Sequence, residues 1–353
     1  MSEVDLLDLT ETLCAIPSVS GDEGPVADFV EQWLRAHASG CGVERVRNNV
    51  IARTTLGREQ RIVLGGHLDT VPANGNERPR RDGDVLHGLG TADMKGGLAV
   101  LLDLAARASV DEVPRDLTFV FYEAEEVAEE HNGLRHLFAV RPDLVAGDLA
   151  IMLEPTGGWL EAGCQGTIHV RATFKGQRAH SARPWMGDNA IHKAAPFLER
   201  IAAFDAGIVD VDGLQYRESL QVVRIEGGVA NNVVPDECRV VVNRRYAPSR
   251  PLEAAVAEVE ALCIGADTIE VLNASTAAPP NLTAPLLAEF VRGSSLSVRP
   301  KLGWTDVARF AAAGIPAANF GPGDPELAHR ADECVDRAAL EHCRSALSKF
   351  AGC

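Results

Sequence analysis

The residues best able to do chemistry in this sequence stand at the ends of apolar runs. Glu125 and Glu126 follow Leu117-Thr118-Phe119-Val120-Phe121-Tyr122, which reads as a buried parallel strand. Neighbouring carboxylates there repel each other and lose hydration, so something cationic must hold them. His67 and Asp69 follow Ile62-Val63-Leu64-Gly65-Gly66, and Glu154 ends Leu149-Ala150-Ile151-Met152-Leu153. Asp93 sits in Gly90-Thr91-Ala92-Asp93-Met94-Lys95-Gly96-Gly97, and His329 lies beyond Asn319-Phe320-Gly321-Pro322-Gly323. These groups are expected along one edge of one sheet, where α/β folds place their functional crevice.

Imidazole and carboxylate donors without thiolates suit zinc. The set suits two ions sharing one carboxylate: Asp93 as the bridge, His67 and Glu154 on one ion, Glu126 and His329 on the other. Asp69 can accept the second N–H of His67 and so fix its tautomer. Two ions about 3.5–4 Å apart acidify a water between them, as in aminopeptidase-type hydrolysis. Glu125 is left over to take a proton from that water and deliver it to a leaving amine. The ligand carboxylates and a hydroxide cancel the charge of the ions, so a charged substrate needs arginine. Arg245, in Asn243-Arg244-Arg245-Tyr246, is a candidate. His180, before the first helix of the second domain, is placed to hydrogen-bond a developing oxyanion. Taken singly, Asp93 reads as a helix cap and Glu125-Glu126 as a solvated turn; together, the positions favour a site.

The elements that must position these residues alternate. Helical spacing at 4–16 and 24–37 is followed by a strand pair near 43–54 and 61–67 and a polar loop over 72–88. A helix near 95–108, the strand at 117–122, a helix near 131–140 and a strand at 149–153 complete a mostly parallel α/β arrangement. From 167 the pattern becomes strand, helix, two strands, helix, strand: a ferredoxin-like α+β unit. The α/β pattern returns from 284, with a strand near 316–320 and a helix near 337–350. The expected organisation is a catalytic domain over 1–166 and 279–353, interrupted by an inserted domain over 167–278.

The 353 residues are 46% hydrophobic, enough for two cores. A net charge of −16 argues against nucleic acid and anionic membrane surfaces as partners. There is no signal-peptide pattern and no apolar run near ~18 residues, so a cytoplasmic location is expected. The eight cysteines lack a Cys-x-x-Cys pair and read as free thiols, with Cys353 solvated. Gly88-Leu89-Gly90 begins like a dinucleotide fingerprint, but Asp93 occupies the third glycine position. A nicotinamide site is rejected. A metal-binding protein without catalysis is disfavoured by Glu125, an acid such a site does not need.

The series His67-x-Asp69, Asp93-Met-Lys-Gly-Gly, Glu125-Glu126, Glu154-Pro-Thr and His329 resembles the dinuclear zinc amidohydrolases, a family of aminoacylases, deacetylases, carboxypeptidases and desuccinylases. The resemblance covers essentially the whole chain. The segments 161–167, 178–183, 187–193, 228–237, 303–310 and 319–325 are most similar to the actinobacterial branch that removes succinate from N-succinyl-diaminopimelate. It implies the ligand assignment above, with two Zn²⁺ per subunit (another divalent metal can take one site), and Glu125 as general base. It also implies a small N-acyl amino acid substrate and a homodimer formed through the inserted domain, which lends His180 to the partner's site. Asn231 and Arg245 match positions that hold the substrate's carboxylate end, and Thr305, Gly321 and Gly323 are further expected substrate contacts. Where many desuccinylases carry arginine in a substrate-reading region, this chain has Cys164-Gln165. The sister activity is deacetylation of N-acetyl-ornithine or another N-acyl amino acid.

Overall fold

The computed structural model describes residues 4–108 and 113–353. They divide into two compact units: residues up to Ala162 with Asn281–Arg299 and Arg309–Cys353, and Gly163–Pro280 with Pro300–Ala308.

The first unit is built on a mixed sheet. Its strands lie in the order Gly42–Val46, Asn49–Arg53, Asp116–Tyr122, Arg61–His67, Leu149–Met152, Ala317–Asn319, Leu160–Ala162, Val298–Pro300. The four central strands, Asp116–Tyr122 through Ala317–Asn319, are parallel. Their side chains are almost wholly buried, which explains the unbroken apolar runs. The register pairs His67 with Tyr122 and Gly65 with Met152, and Met152 pairs with Asn319. The carboxyl ends of all four strands therefore meet along one edge. Helix Gly96–Arg107 is buried along nearly its whole length. Gly97 admits it closely, because a Cβ there would stand 2.6 Å from the Leu153 carbonyl oxygen.

In the second unit, the strands lie in the order Ser219–Gly227, Glu237–Tyr246, Gly166–Lys175, Thr268–Ser275, all antiparallel. With helices Ala190–Ala202 and Leu252–Leu262 this is the ferredoxin-like arrangement expected. Ile168, Val170, Ala172 and Phe174 alternate into a core with Phe197, Val240, Val242 and Val259. The intervening positions form the opposite face of the sheet.

Several elements differ from the sequence expectation. Residues 43–54 are not one strand beside 61–67 but a hairpin, Gly42–Val46 with Asn49–Arg53, turning at Arg47 with φ 57°. The hairpin joins the sheet through Asp116–Tyr122. The polar stretch 72–88 is not all loop: Arg80–Asp82 and Val85–His87 pair, and Cys334–Asp336 adds a third strand. A further hairpin, Ile208–Val211 with Leu214–Arg217, lies in the second unit. All eight cysteines are free, and Cys353 is only partly exposed: burial pushes its thiol up to about 12, and its Sγ lies 4.0 Å from the Leu104 carbonyl oxygen.

Candidate metal centre

His67 is the last residue of its strand and is 1% exposed. Its Nδ1 lies 2.9 Å from the main-chain oxygen of Asp69, so the N–H on Nδ1 is donated there and Nε2 is left to face the crevice. This refines the expected pairing. Asp69 does accept the imidazole N–H, but through its carbonyl; its carboxylate, with Oδ1 3.5 Å from Nδ1, is engaged elsewhere. Oδ1 accepts the Glu125 N–H and Oδ2 the Glu126 N–H, each at 3.0 Å. Ser20 Oγ donates to Oδ2 at 2.7 Å. Burial acts to raise Asp69, but the neighbouring His67 ring, the Ser20 hydroxyl and the Glu125 N–H hold it at about 2.

Asp93 presents one oxygen to each imidazole: Oδ1 lies 3.1 Å from His67 Nε2, and Oδ2 lies 3.4 Å from His329 Nε2. His329 Nε2 also lies 2.8 Å from Glu126 Oε1. One carboxylate between two imidazoles has the disposition of a bridging ligand. The Asp93–Met94 peptide is cis. Glu154 is buried just beyond Leu149–Met152, close enough for its charge to act on His67.

The electrostatics favour a cation. Burial alone would lower the His67 pKa, yet Asp69, Asp93 and Glu154 hold it well above the usual imidazole value. Asp93 and Glu126 push His329 up to about 10. Ligand atoms of His67, Asp93 and Glu126 all lie within 4.8 Å of one another. Imidazole nitrogens and carboxylate oxygens with no thiolate fit a divalent ion of the zinc type. Such an ion would satisfy the same donors that now face each other.

Gly321 and Gly323 bring the last part of the site against the strand ends. Gly321 exchanges two hydrogen bonds with Thr156 Oγ1, at 3.0 and 3.1 Å. A Cβ at Gly321 would stand 2.3 Å from the carbonyl oxygens of Leu153 and Glu154, and one at Gly323 would stand 2.4 Å from that of Ala92. Close backbone packing beside Glu154 and Asp93 is reason enough for both glycines.

One residue escaped the sequence reading. Glu333 is 1% exposed and accepts three main-chain N–H groups, from Ala92, Asp93 and Gly90, at 2.9, 3.0 and 3.1 Å. Burial pushes it up to about 7. Its only sequence signal is an acid entering an apolar pair, Cys334-Val335, four residues past His329.

His180, Asn231, Arg245 and Thr305 belong to the second unit. His180 Nδ1 accepts the Ala182 N–H at 3.0 Å, which leaves the proton on Nε2, free to donate. The His180 turn is laced to the segment after Asn231: Ser181 N–H donates to Asn232 O and Val234 N–H to Ala179 O, both at 2.9 Å. Arg244 and Arg245 face opposite sides of their strand. Arg244 is 1% exposed and paired with Glu218 and Glu258. Arg245, half-buried, has no carboxylate partner among the described residues; its Nε donates to Asn243 Oδ1 at 3.1 Å. Asn243 Nδ2 in turn lies 3.0 Å from His169 Nε2. Burial lowers the pKa of both Arg245 and His169, and the Arg245 charge adds to the effect on His169. Thr305 is buried, and its main-chain oxygen lies 3.8 Å from Cys164 Sγ. Gln165 donates to the Arg217 carbonyl oxygen at 2.7 Å.

Comparison with known proteins decides the family. Residues 63–352 match peptidase family M20/M25/M40. The chain belongs to this family. Among curated M20 relatives, DapE of Mycobacterium tuberculosis is 49% identical over 349 residues, covering 99% of this chain and 98% of its own. The succinyl-diaminopimelate desuccinylase of Corynebacterium glutamicum is 47% identical over 336 residues, covering 93% and 91%. Among solved structures, aminopeptidase PepT of Bacillus cereus superposes with a TM-score of 0.81 at 21% identity, covering 98% and 97% of the two chains. The Bacillus subtilis YXEP protein, described as a dinuclear metal-binding M20 peptidase, gives 0.70 at 16% identity, covering 98% and 96%. The chain is thus a metal-dependent M20 hydrolase of amide bonds with a candidate metal site. No helix among its described residues is long and apolar enough to cross a membrane.

Proposed function

We propose that this hydrolase cleaves N-succinyl-L,L-2,6-diaminopimelate to succinate and L,L-diaminopimelate, using two Zn²⁺ per subunit. The observation that carries the substrate is 47% identity over most of both chains to a desuccinylase, supported by the cluster of His67, Asp93 and Glu126 with His329 beside it. His67, Asp93 and Glu154 are assigned to one ion, and Asp93, Glu126 and His329 to the other. Bound there, the ions supply Lewis acidity that polarises an amide carbonyl and acidifies water.

The protein's own groups do the rest. Glu125 takes the proton from the attacking water and returns it to the departing amine. Asp69 sets the Glu125 and Glu126 backbone while its carbonyl fixes the His67 tautomer. His180, with its proton on Nε2, donates to the developing oxyanion. Arg245, without a carboxylate partner among the described residues, receives a substrate carboxylate with Asn231. Thr305, Gly321 and Gly323 complete the substrate contacts. The 167–278 domain acts as a lid and pairs two subunits, so that His180 serves the partner's site. The enzyme works in the cytoplasm.

Hydrolysis by the zinc-loaded protein, with and without chelator, tests this on N-succinyl-diaminopimelate and N-acetyl-ornithine. A chelator-sensitive preference for the succinyl substrate is expected. Preference for the acetyl substrate would keep the metal assignment and move the protein to deacetylation. Activity that survives chelation would overturn the metal assignment.

A further inference from the structure

The segment from His329 to Glu333 touches the metal centre twice. His329 reaches Asp93 and Glu126 with its ring. Four residues later, Glu333 turns inward beneath the loop that carries Asp93. One carboxylate oxygen takes the N–H groups of Ala92 and Asp93, and the other takes that of Gly90. The Glu333 main-chain oxygen adds a bond from Gly88 N–H at 3.0 Å. Four main-chain N–H groups from Gly88 to Asp93 thus end on one residue.

The other bonds of this loop are made by Leu89 N–H, to Asn76 O at 2.9 Å, and within the loop by Thr91, whose N–H and Oγ1 donate to Gly88 O at 3.2 and 2.7 Å. Gly90 has φ 78°, and its carbonyl oxygen accepts the Lys95 N–H at 2.6 Å. Lys95 itself is buried, with its ammonium 2.7 Å from Ile16 O and 3.1 Å from Leu13 O. The pairing of Cys334–Asp336 with Val85–His87 fixes Glu333 in place at the mouth of the same loop. Both Glu333 oxygens are spent on N–H groups, so Glu333 is not itself a ligand. Its distinctive contact is with the backbone of a residue whose side chain faces both imidazoles.

We infer that Glu333 is a positioning residue of the metal centre: it holds the Gly90–Asp93 backbone so that the Asp93 carboxylate is presented to both ions. This rests on the two-metal assignment above. Groups that orient a ligand from behind typically carry about ten- to a hundred-fold in metal affinity or activity.

Full-length E333Q and E333D test it. Glutamine keeps one accepting oxygen but turns an NH₂ group toward a N–H donor; aspartate keeps the charge and is one methylene short. Metal-stripped proteins are titrated calorimetrically with Zn²⁺, their melting is followed without metal, and the Co²⁺-loaded forms are compared by visible absorption. In a folded variant, Zn²⁺ affinity should fall about ten-fold or more, with a changed Co²⁺ spectrum and a loss in kcat larger than any change in KM. A purely structural carboxylate would lower the metal-free melting temperature and leave affinity and spectrum as in the parent. That outcome overturns the inference, as does failure of both variants to fold. If the parent protein itself takes up no Zn²⁺, the two-metal assignment falls first. If the parent binds and the variants match it, only the role of Glu333 is lost.

Discussion

Asp69 grips the backbone of Glu125: its Oδ1 accepts the Glu125 N–H at 3.0 Å, while its other oxygen takes Glu126 N–H at the same distance. One buried carboxylate therefore holds the backbone of the acid proposed for proton transfer and of the acid proposed for a metal, and the same residue's carbonyl oxygen orients His67.

D69N keeps the shape but offers an NH₂ group to one of those N–H donors. Turnover should fall about ten- to a hundred-fold with less change in metal content. Metal analysis beside kcat checks this; a variant with parental kcat would mean the backbone grip is dispensable.

E125Q and E126Q should separate the two acids. E125Q should lose about 10²–10⁴ in kcat and retain its metals. E126Q should instead weaken metal binding. Equal metal loss in both, read by atomic absorption, would contradict the division of roles.

The adjacent arginines make a matched pair. R244A strips a guanidinium from buried Glu218, and breaking a buried pair costs about 3–5 kcal/mol, so its melting temperature should drop. R245A removes no ion pair among the described residues. It should melt close to the parent and raise KM for the succinyl substrate. Parental KM in R245A would remove it from the substrate site.

Acid stability has an identifiable contributor. Asp116 is 4% exposed. Burial acts to raise its pKa, but the Leu56 and Arg58 N–H groups, Thr54 and Arg61 together lower it. A carboxyl whose folded pKa lies below its unfolded value stabilises the fold above the unfolded value, near pH ~3.9. That contribution fades as pH falls toward the folded pKa. D116N should melt below the parent at neutral pH, with the gap closing as the pH is taken below about 4. A gap that widened in acid would reverse the sign.

Most of the candidate metal site was legible because each residue at or just past a strand end announces itself twice, by a buried strand and by a group no buried strand end should carry. His67, Glu126 and Glu154 all have this form. Asp93 and His329 are on loops, and only the glycines around them hinted at close backbone approach. Glu333 gave almost no signal, since its partners are main-chain N–H groups, which have no sequence identity. The same holds for Asp69, where residue type allowed a hydrogen bond to His67 but could not say which oxygen makes it. The Gly42–Arg53 hairpin was misread because its turn uses Arg47 at positive φ, without the usual Asn-Gly or Asp-Gly cue. The short strands at 80–82 and 85–87 are stabilised by Cys334–Asp336, a partner some 250 residues away that local pattern cannot reveal.

The strand Ala317–Asn319 lies between Leu149–Met152 and Leu160–Ala162. Its two neighbours are therefore synthesised more than 150 residues before the strand that joins them. During translation they wait with open hydrogen-bonding edges, and the centre lacks both His329 and Glu333. A message truncated anywhere in that interval yields not a weakened hydrolase but a protein with a gap in its sheet, the kind of open edge on which chains aggregate.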